Sequence, residues 1–342
     1  MCSITDSCSR DILTLISMSI SATNITLNNG IKMPLFGLGT WQSKPEDVKS
    51  AVRTALDTGY RLIDTAFNYQ NEEAIGEVLK KYTETGKVKR EDLYITTKLG
   101  NILTRPADVQ YAMSESLRKL QVSYVDLFLI HIPLVLKKQA DPYNILPMKD
   151  GQLDHDGAVD FEGVWKEMEK LVDEGKTKNI GISNFNVAQV ERIMKVARVK
   201  PVVNQVECHA YFQQKELEAA MKKHDIVIMA YGSLGSPGSA AIITVPGESP
   251  PPVLLQDPVL GEMAKKYKKT PAQILIRNLL QRKVIVIPKS VTPSRIQENG
   301  NVFDFKISSE DMATIAGIDK DLRMFKFHIM ANAPDYPFNC PV

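Results

Sequence analysis

After residue 22 the chain alternates short apolar runs with longer amphipathic segments. The runs are LFGLGTW (35–41), RLIDTA (61–66), LYITTKL (93–99), VDLFLIH (125–131), NIGISN (179–184), VVNQVE (202–207), IVIMAY (226–231) and VIVIPKS (284–290). Blocks of apolar and β-branched residues without strict alternation predict strands buried on both faces. Between them, PEDVKSAVRTALDTG (45–59) carries Pro45 and acids in its first turn and Gly59 as a stop, the format of a helix. NEEAIGEVLKKY, PADVQYAMSESLRKL, FEGVWKEMEKLVDEG, VAQVERIMKVAR, QKELEAAMKKH, PAQILIRNLLQRK and the shorter PSRIQENG repeat that format. Ahead of the first unit, NITLNNGIKMP alternates around Asn29-Gly30, a dipeptide that predicts a tight hairpin.

Eight strand–helix units imply a parallel sheet, because parallel neighbours need crossover connections. Eight is also the number that closes a (β/α)8 TIM barrel, typically about 250 residues before insertions. A doubly wound open sheet is the competing fold. It requires a glycine-rich turn after the first strand, and Gly37-Leu38-Gly39-Thr40-Trp41-Gln42 lacks the third glycine. Residues 132–160 and 237–256 are Pro-, Gly- and polar-rich insertions that follow strands, so a barrel places both on its C-terminal face. The expected organisation is a leader over 1–22, one barrel domain over 23–318 and a substrate-side tail over 319–342 of the same domain.

Composition narrows the class without supplying chemistry. The 342 residues are 44% hydrophobic and 24% charged, ordinary globular usage, which excludes disordered and fibrous classes. Lys+Arg 42 against Asp+Glu 40 leaves a net charge of +2, too balanced for a nucleic-acid or anionic-lipid partner. No run reaches the ~18 apolar residues of a bilayer span. The apolar stretch 12–22 resembles a secretory signal only superficially. Thr14, Ser17, Ser19 and Ser21 dilute it, and its lead-in carries Asp6 and Asp11 beside Arg10. A cytoplasmic protein is therefore expected, with Met18 an alternative start and residues 1–17 a disordered leader. Cys2, Cys8, Cys208 and Cys340 are too scattered for a disulfide framework, and zinc-site spacing is absent. Cys208 reads as a small buried hydrophobe, and Lys265, Lys266, Lys268 and Lys269 as a solvated helix face. Gly175-Lys176-Thr177 resembles the end of a P-loop, but Lys170 stands where that motif needs glycine.

The chemistry lies at the predicted strand ends, where such barrels carry their functional groups. These are Trp41, Asp64, Lys98, His131, Asn184, Gln205, Tyr231 and Lys289. Asp64 and Lys98 each end a buried run on neighbouring strands, and a buried charge needs a partner, so they are expected to pair. Tyr69 follows Asp64 in the loop DTAFNYQNE. A phenol titrates near 10, so Tyr69 as a general acid calls for a nearby cation, and Lys98 is placed to lower its pKa. With His131 these residues form a proton-donating site without metal, nucleophile or serine triad.

GYRLIDTAFNYQNE, YITTKL, YVDLFLIH, GISNFN, VVNQVECH, AYGSLGSP and IPKSVTPSRIQEN, in that order over about residues 24–318, resemble the aldo-keto reductases, and DYPF (335–338) resembles their aldose reductase branch. The resemblance implies NADPH-dependent reduction of small aldehydes or ketones by a monomer. It makes Tyr69 the general acid, tuned by Asp64 and Lys98, with His131 orienting the carbonyl. It places Ser183, Asn184 and Gln205 on the nicotinamide carboxamide and Tyr231 against its ring. Thr40, Trp41 and Asp64 border the cofactor, and Gly232, Ser233, Leu234 and Ser236 wrap the pyrophosphate. Pro288, Lys289, Ser290 and Arg295 clamp the 2′-phosphate of NADP, with Glu298 and Asn299 at the adenine. Trp41, Tyr69, His131 and Ile132 line the substrate side.

Several positions depart from that pattern. Ile132 and Gly100 stand where relatives usually carry Trp, Gly232-Ser233 replaces a common Ser-Pro, and Ala210 a common Pro. Losing two indoles predicts a roomier pocket accepting larger carbonyl compounds. Two other functions on the same barrel are a binding or regulatory protein that retains cofactor affinity and a phosphate-handling isomerase or lyase. The intact set of Tyr69, Lys98, Asp64 and His131 favours the reductase.

Overall fold

Two short strands open the fold in a computed structural model that describes residues 20, 23–141 and 143–338. Strand β1 (Asn24–Thr26) pairs antiparallel with β2 (Lys32–Pro34), with Thr26 opposite Lys32. The connection is wider than the expected tight turn, and of Asn29 and Gly30 only Gly30 is left-handed, at φ 84°. The barrel floor shapes this loop: Asn28 Nδ2 donates to the Pro201 carbonyl at 3.0 Å and Asn29 Nδ2 to Asn179 Oδ1 at 2.6 Å. The hairpin thus plugs the barrel end opposite the strand C-termini.

Each predicted apolar run contains a strand. In order they are β3 (Gly37–Gly39), β4 (Leu62–Asp64), β5 (Tyr94–Leu99), β6 (Leu127–Ile130), then, after the small hairpin β7 (Met148–Lys149) and β8 (Gln152–Leu153), β9 (Ile180–Ser183), β10 (Val203–Glu207), β11 (Val227–Tyr231) and β12 (Ile285–Val286). The eight core strands pair in parallel in the order β12-β11-β10-β9-β6-β5-β4-β3. Parallel bridges Phe36–Val286 and Gly39–Lys289 join the two ends, and Val286 N–H donates to the Leu35 carbonyl at 2.9 Å. The molecule is a (β/α)8 barrel, not an open sheet.

The predicted helices occupy their segments, from Pro45–Asp57 to Pro293–Gly300. Lys265 and Lys266 fall in the last turn of Pro258–Tyr267 and are solvated as expected, whereas Lys269 lies beyond the helix with its side chain largely buried against Asp304 and the Asn301 carbonyl. Ser309–Ala316, capped by the Ser308 side chain, carries too short an amphipathic pattern to mark it in the sequence. Both insertions leave the C-terminal strand ends. The first, 132–160, folds part of itself into the β7–β8 hairpin and is braced by an antiparallel bridge between Leu136 and His155.

The main hydrophobic core fills the barrel and the shell beneath its helices. A second cluster joins Leu254, Leu260 and Ile274 to Met324 and Phe325 of the tail, so the tail packs against the 237–256 insertion and its following helices. The leader expected over residues 1–22 lies outside the described residues except for Ile20, which is buried in the main core rather than free of the fold. Cys2, Cys8, Cys340 and the Met18 start also lie outside them. Cys208 is buried, and burial raises its thiol to about pKa 11, as expected of an inert small hydrophobe.

One side chain knits the first two active-face loops. Buried Asn71 donates from Nδ2 to the Thr40 carbonyl at 2.9 Å and the Ser43 carbonyl at 3.3 Å, and its Oδ1 accepts from Thr65 Oγ1 at 3.1 Å. Removing the amide strands those groups without water, at a cost of roughly 1–3 kcal/mol. Asn71→Ala is expected to lower unfolding stability by that amount in a urea titration; an unchanged midpoint would show that the loops hold their own register.

Candidate active site

The strand ends converge as the fold requires. Lys98, fifth residue of β5, sends its ammonium into the barrel mouth, where Nζ donates to Asp64 Oδ1 at 2.6 Å, the Thr65 carbonyl at 2.9 Å and the Tyr69 hydroxyl at 3.2 Å. The other Asp64 oxygen accepts from Gln205 Nε2 at 2.7 Å, across the mouth on β10. Thr40 Oγ1 caps the Asp64 carbonyl at 2.8 Å. The expected ion pair is present, and both partners are buried. Burial pushes the Asp64 carboxyl up and the Lys98 ammonium down, and each is held toward its charged form by the other.

Tyr69 ends a short 3-10 turn, Phe67–Tyr69, directly after β4. Its ring meets His131 edge-on, with centroids 5.6 Å apart, and Lys98 Nζ lies 4.8 Å from its centroid. The direction of its pKa differs from the sequence expectation. Burial first, and then the Asp64 charge, hold the phenol well above its usual 10. Lys98 adjoins the hydroxyl and is itself paired with Asp64. His131 is driven well below its usual 6.5, by burial first and then by Lys98, so it is neutral near pH 7. Its Nδ1 is buried without a hydrogen-bond partner.

Ser183, Asn184 and Tyr231 form a second network on the far side of the mouth. Asn184, left-handed at φ 63°, donates from Nδ2 to the His131 carbonyl at 2.9 Å and to Ser183 Oγ at 3.1 Å. Its Oδ1 accepts from the Tyr231 hydroxyl at 2.7 Å, while Ser183 Oγ donates to the Gln205 carbonyl at 2.8 Å. Trp41, Tyr69, His131 and Tyr231 are each half-buried around the opening, whereas Asp64, Lys98 and Gln205 lie beneath them.

Next to this mouth runs a cradle of backbone. Gly232, Gly235 and Ser236 are all left-handed, and Gly235 N–H turns back onto the Gly232 carbonyl at 2.8 Å. Ser233 Oγ is buried there without a partner, and Leu234 packs against the core. Gly39 N–H takes the Pro288 carbonyl at 3.3 Å, placing Lys289 and Ser290 on the seam that closes the barrel. They precede the helix Pro293–Gly300, whose first turn has no side-chain cap. Lys289 and Arg295 are exposed there, and neither has an ion-pair partner among the described residues. Glu298 accepts from Thr270 Oγ1 at 2.9 Å and Asn299 is buried beside it.

Gly100 does not leave the space expected from a missing indole. A Cβ at that position would lie 2.7 Å from Phe67 Cδ1 and 3.0 Å from Asn68 Oδ1, so the Tyr69 turn itself fills the site. Ile132 is likewise buried in the core. Sequence reasoning missed Glu207 and Phe325. Glu207 sits two residues beyond Gln205 on the same strand, the one signal that could have found it; Phe325 lies in a tail without periodic pattern.

Among the described residues no group of His, Cys, Asp and Glu is placed to hold a metal ion, and no helix is long and apolar enough to cross a membrane. A family model described as "Aldo/keto reductase family" matches residues 35–320. Aldo-keto reductase family 1 member A1 of Gallus gallus is 44% identical over 335 residues, 95% of this chain and 100% of that protein. The Homo sapiens protein of the same name is 43% identical, covering 94% of this chain and 100% of its own length. Among solved structures, the aldose reductase from Schistosoma japonicum aligns with a TM-score of 0.84 at 43% identity, over 92% of this chain and 98% of that one. With the ordered strand-end residues and the barrel that carries them, these likenesses establish that the chain belongs to the aldo/keto reductase family.

Proposed function

We propose that this oxidoreductase is an NADPH-dependent reductase of aldehyde and ketone carbonyls, acting as a cytoplasmic monomer with Tyr69 as the general acid. The observation that carries the reading is the 3.2 Å contact between Lys98 Nζ and the Tyr69 hydroxyl, with the lysine fixed by Asp64. A phenol held well above 10 is fully protonated near neutrality, which suits a proton donor. Lys98 then stabilises the phenolate left when the proton has gone to the carbonyl oxygen. Neutral His131, whose ring meets that of Tyr69 edge-on, orients that oxygen, and Trp41 and Ile132 border the substrate.

The surroundings suit a dinucleotide carrying a 2′-phosphate. The left-handed run at Gly232–Ser236 and the orphaned Ser233 Oγ offer donors to a pyrophosphate. Lys289, Ser290 and Arg295, beside an uncapped helix start, offer cations and a hydroxyl to a phosphomonoester, with Pro288 behind them and Glu298 and Asn299 toward the adenine. Ser183, Asn184 and Gln205 would hold the carboxamide, Tyr231 would face the ring, and Thr40, Trp41, Asp64, Gly232 and Leu234 would complete the contact. Bound there, the nicotinamide supplies the hydride that reduces the carbonyl carbon. The residues 319–338 serve as the substrate-side tail of the same domain.

Mixing the protein with NADPH and an aromatic aldehyde should deplete the nicotinamide absorbance. Quenched NADPH fluorescence without turnover would instead support a binding protein, and neither signal an isomerase or lyase. Tyr69→Phe should lower kcat by about 10²–10⁴ while sparing NADPH binding, since general acid catalysis contributes on that order; turnover within tenfold of the parent would remove Tyr69 from the role.

The His131 shift gives a pH test. Below pH 6.5 the unfolded chain takes up a proton that folded His131 refuses, so this residue's contribution to stability declines as pH falls from 6.5 toward its depressed folded value. Ring resonances of His131 in NMR spectra are expected to remain those of neutral imidazole at pH 6. An imidazolium spectrum at that pH would contradict the buried, Lys98-repelled environment.

A further inference from the structure

The turn that carries Tyr69 has a second anchor, outside the Lys98–Asp64 pair. Phe67, Asn68 and Tyr69 form one 3-10 turn, and Gln70 after it is left-handed at φ 54°. A residue with a side chain holds that conformation only where its surroundings fix it. Here the fixing contact comes from Tyr143 in the first insertion. Gln70 Nε2 donates to the Tyr143 carbonyl at 2.7 Å. The Tyr143 ring stacks on Phe67, with centroids 6.2 Å apart and planes 13° from parallel. One residue thus grips the turn on both sides of Tyr69, two positions before it and one after. Tyr143 is itself presented by a local turn: its N–H donates to Asp141 Oδ1 at 2.8 Å, and its carbonyl also accepts from Ile145 N–H at 2.9 Å.

Lys119 clasps the two rings. It projects from the helix Val109–Leu120 with Nζ 4.5 Å from the Phe67 centroid and 4.4 Å from that of Tyr143. An ammonium so close to two ring faces is attracted by both quadrupoles. The negative charge acting on it most strongly is Glu72, a buried carboxylate whose Oε1 accepts from Thr97 Oγ1 at 2.6 Å, one residue before Lys98.

Gly100 supplies the room for Phe67. Its φ of −67° is open to any residue, so the backbone does not call for glycine. The contact does, because a Cβ there would stand 2.7 Å from Phe67 Cδ1.

We propose that Tyr143 is a positioning residue for the proton donor: clasped by Lys119, it seats the Phe67–Tyr69 turn, which Gly100 admits, so that the Tyr69 hydroxyl stays beside Lys98. The proposal rests on the reductase reading of Tyr69. Lys98 holds the far end of the Tyr69 side chain, at 3.2 Å, and the stack holds the backbone from which that side chain hangs. A proton donor out of register loses rate in the chemical step rather than affinity for substrate or cofactor.

The test follows a single turnover of NADPH by the preloaded protein with 4-nitrobenzaldehyde, and reads NADPH affinity separately by fluorescence quenching. Tyr143→Ala is expected to lower the maximal single-turnover rate by about three- to thirtyfold, the range of a cation–π contact at a half-buried site. The half-saturating aldehyde concentration and NADPH affinity should not change. Tyr143→Phe keeps both the ring and the carbonyl and should retain the parent rate. Lys119→Met removes the charge but keeps a contact with the rings, so its loss should be of the same kind and smaller. Combined with Tyr143→Ala it should fall short of additivity, because both act through Phe67. Gly100→Ala, which crowds Phe67, should also slow the single turnover. A parent-like rate in Tyr143→Ala overturns the proposal. So does a loss confined to the half-saturating aldehyde concentration, which would make Tyr143 a substrate contact, or an equal loss in Tyr143→Phe, which would trace the effect to the hydroxyl. Should Tyr143→Ala not fold, Lys119→Met carries the test, and a parent-like rate there overturns the proposal. If the unaltered protein binds NADPH and does not oxidise it, or Tyr69→Phe keeps the parent rate, the reductase reading of Tyr69 itself fails and this proposal fails with it.

Discussion

The Lys98–Asp64 pair is the contact on which the mouth of the barrel is organised. Both charges are out of water, a placement that costs several kcal/mol per ion unless attraction and hydrogen bonds offset it. The offset is distributed over the fold: β4 supplies Asp64, β5 supplies Lys98, β10 supplies Gln205, and the loop after β4 supplies the Thr65 carbonyl and the Tyr69 hydroxyl. Loss of either charge would leave the other buried and uncompensated, an effect of about 3–5 kcal/mol in comparable pairs. Tyr69 thus sits beside an ammonium that the whole barrel holds in place.

The same arrangement explains why the phenol stays protonated. Sequence reasoning saw a lysine near a tyrosine and expected its pKa to fall. In the folded protein burial penalises the phenolate first, and the Asp64 charge raises the phenol further. In the proposed reaction Lys98 would support the phenolate after proton transfer rather than form it beforehand. Which of two opposed fields prevails depends on distances that no spacing in the chain encodes.

Most of the architecture was legible because two-face burial writes itself as blocks such as LYITTKL, and crossover helices as periodic segments closed by Pro and Gly. The strand-end residues were legible for the same reason, since polar residues ending buried runs have few other places to go. Three features were not. The Asn29-Gly30 loop looked like a two-residue turn, but its asparagines are recruited by the barrel floor. Gly100 looked like an opened pocket, but Phe67 occupies the space, a relation between neighbouring loops rather than along one segment. The tail carries no period at all, because its order comes from single contacts.

Those contacts show how an irregular segment can still be placed with accuracy. A strand or helix satisfies its own backbone groups, whereas residues 319–338 must find partners elsewhere. Glu207 takes two of their N–H groups; Asn186 Nδ2 and Gln189 Nε2 give to the carbonyls of Pro337 and Asp335, at 3.1 Å and 2.8 Å. The Asp335 carboxylate in turn accepts from Val159 N–H in the first insertion and from Arg192. Since Asn186 and Gln189 also form the capping box of the helix that follows β9, the tail is tied to the same loop system that positions Ser183 and Asn184. A near-neutral chain can therefore concentrate charge and amide groups around the barrel mouth, where some, such as Asp64 and Gln205, hold one another and others, such as Lys98, Asn184 and Glu207, also satisfy backbone groups.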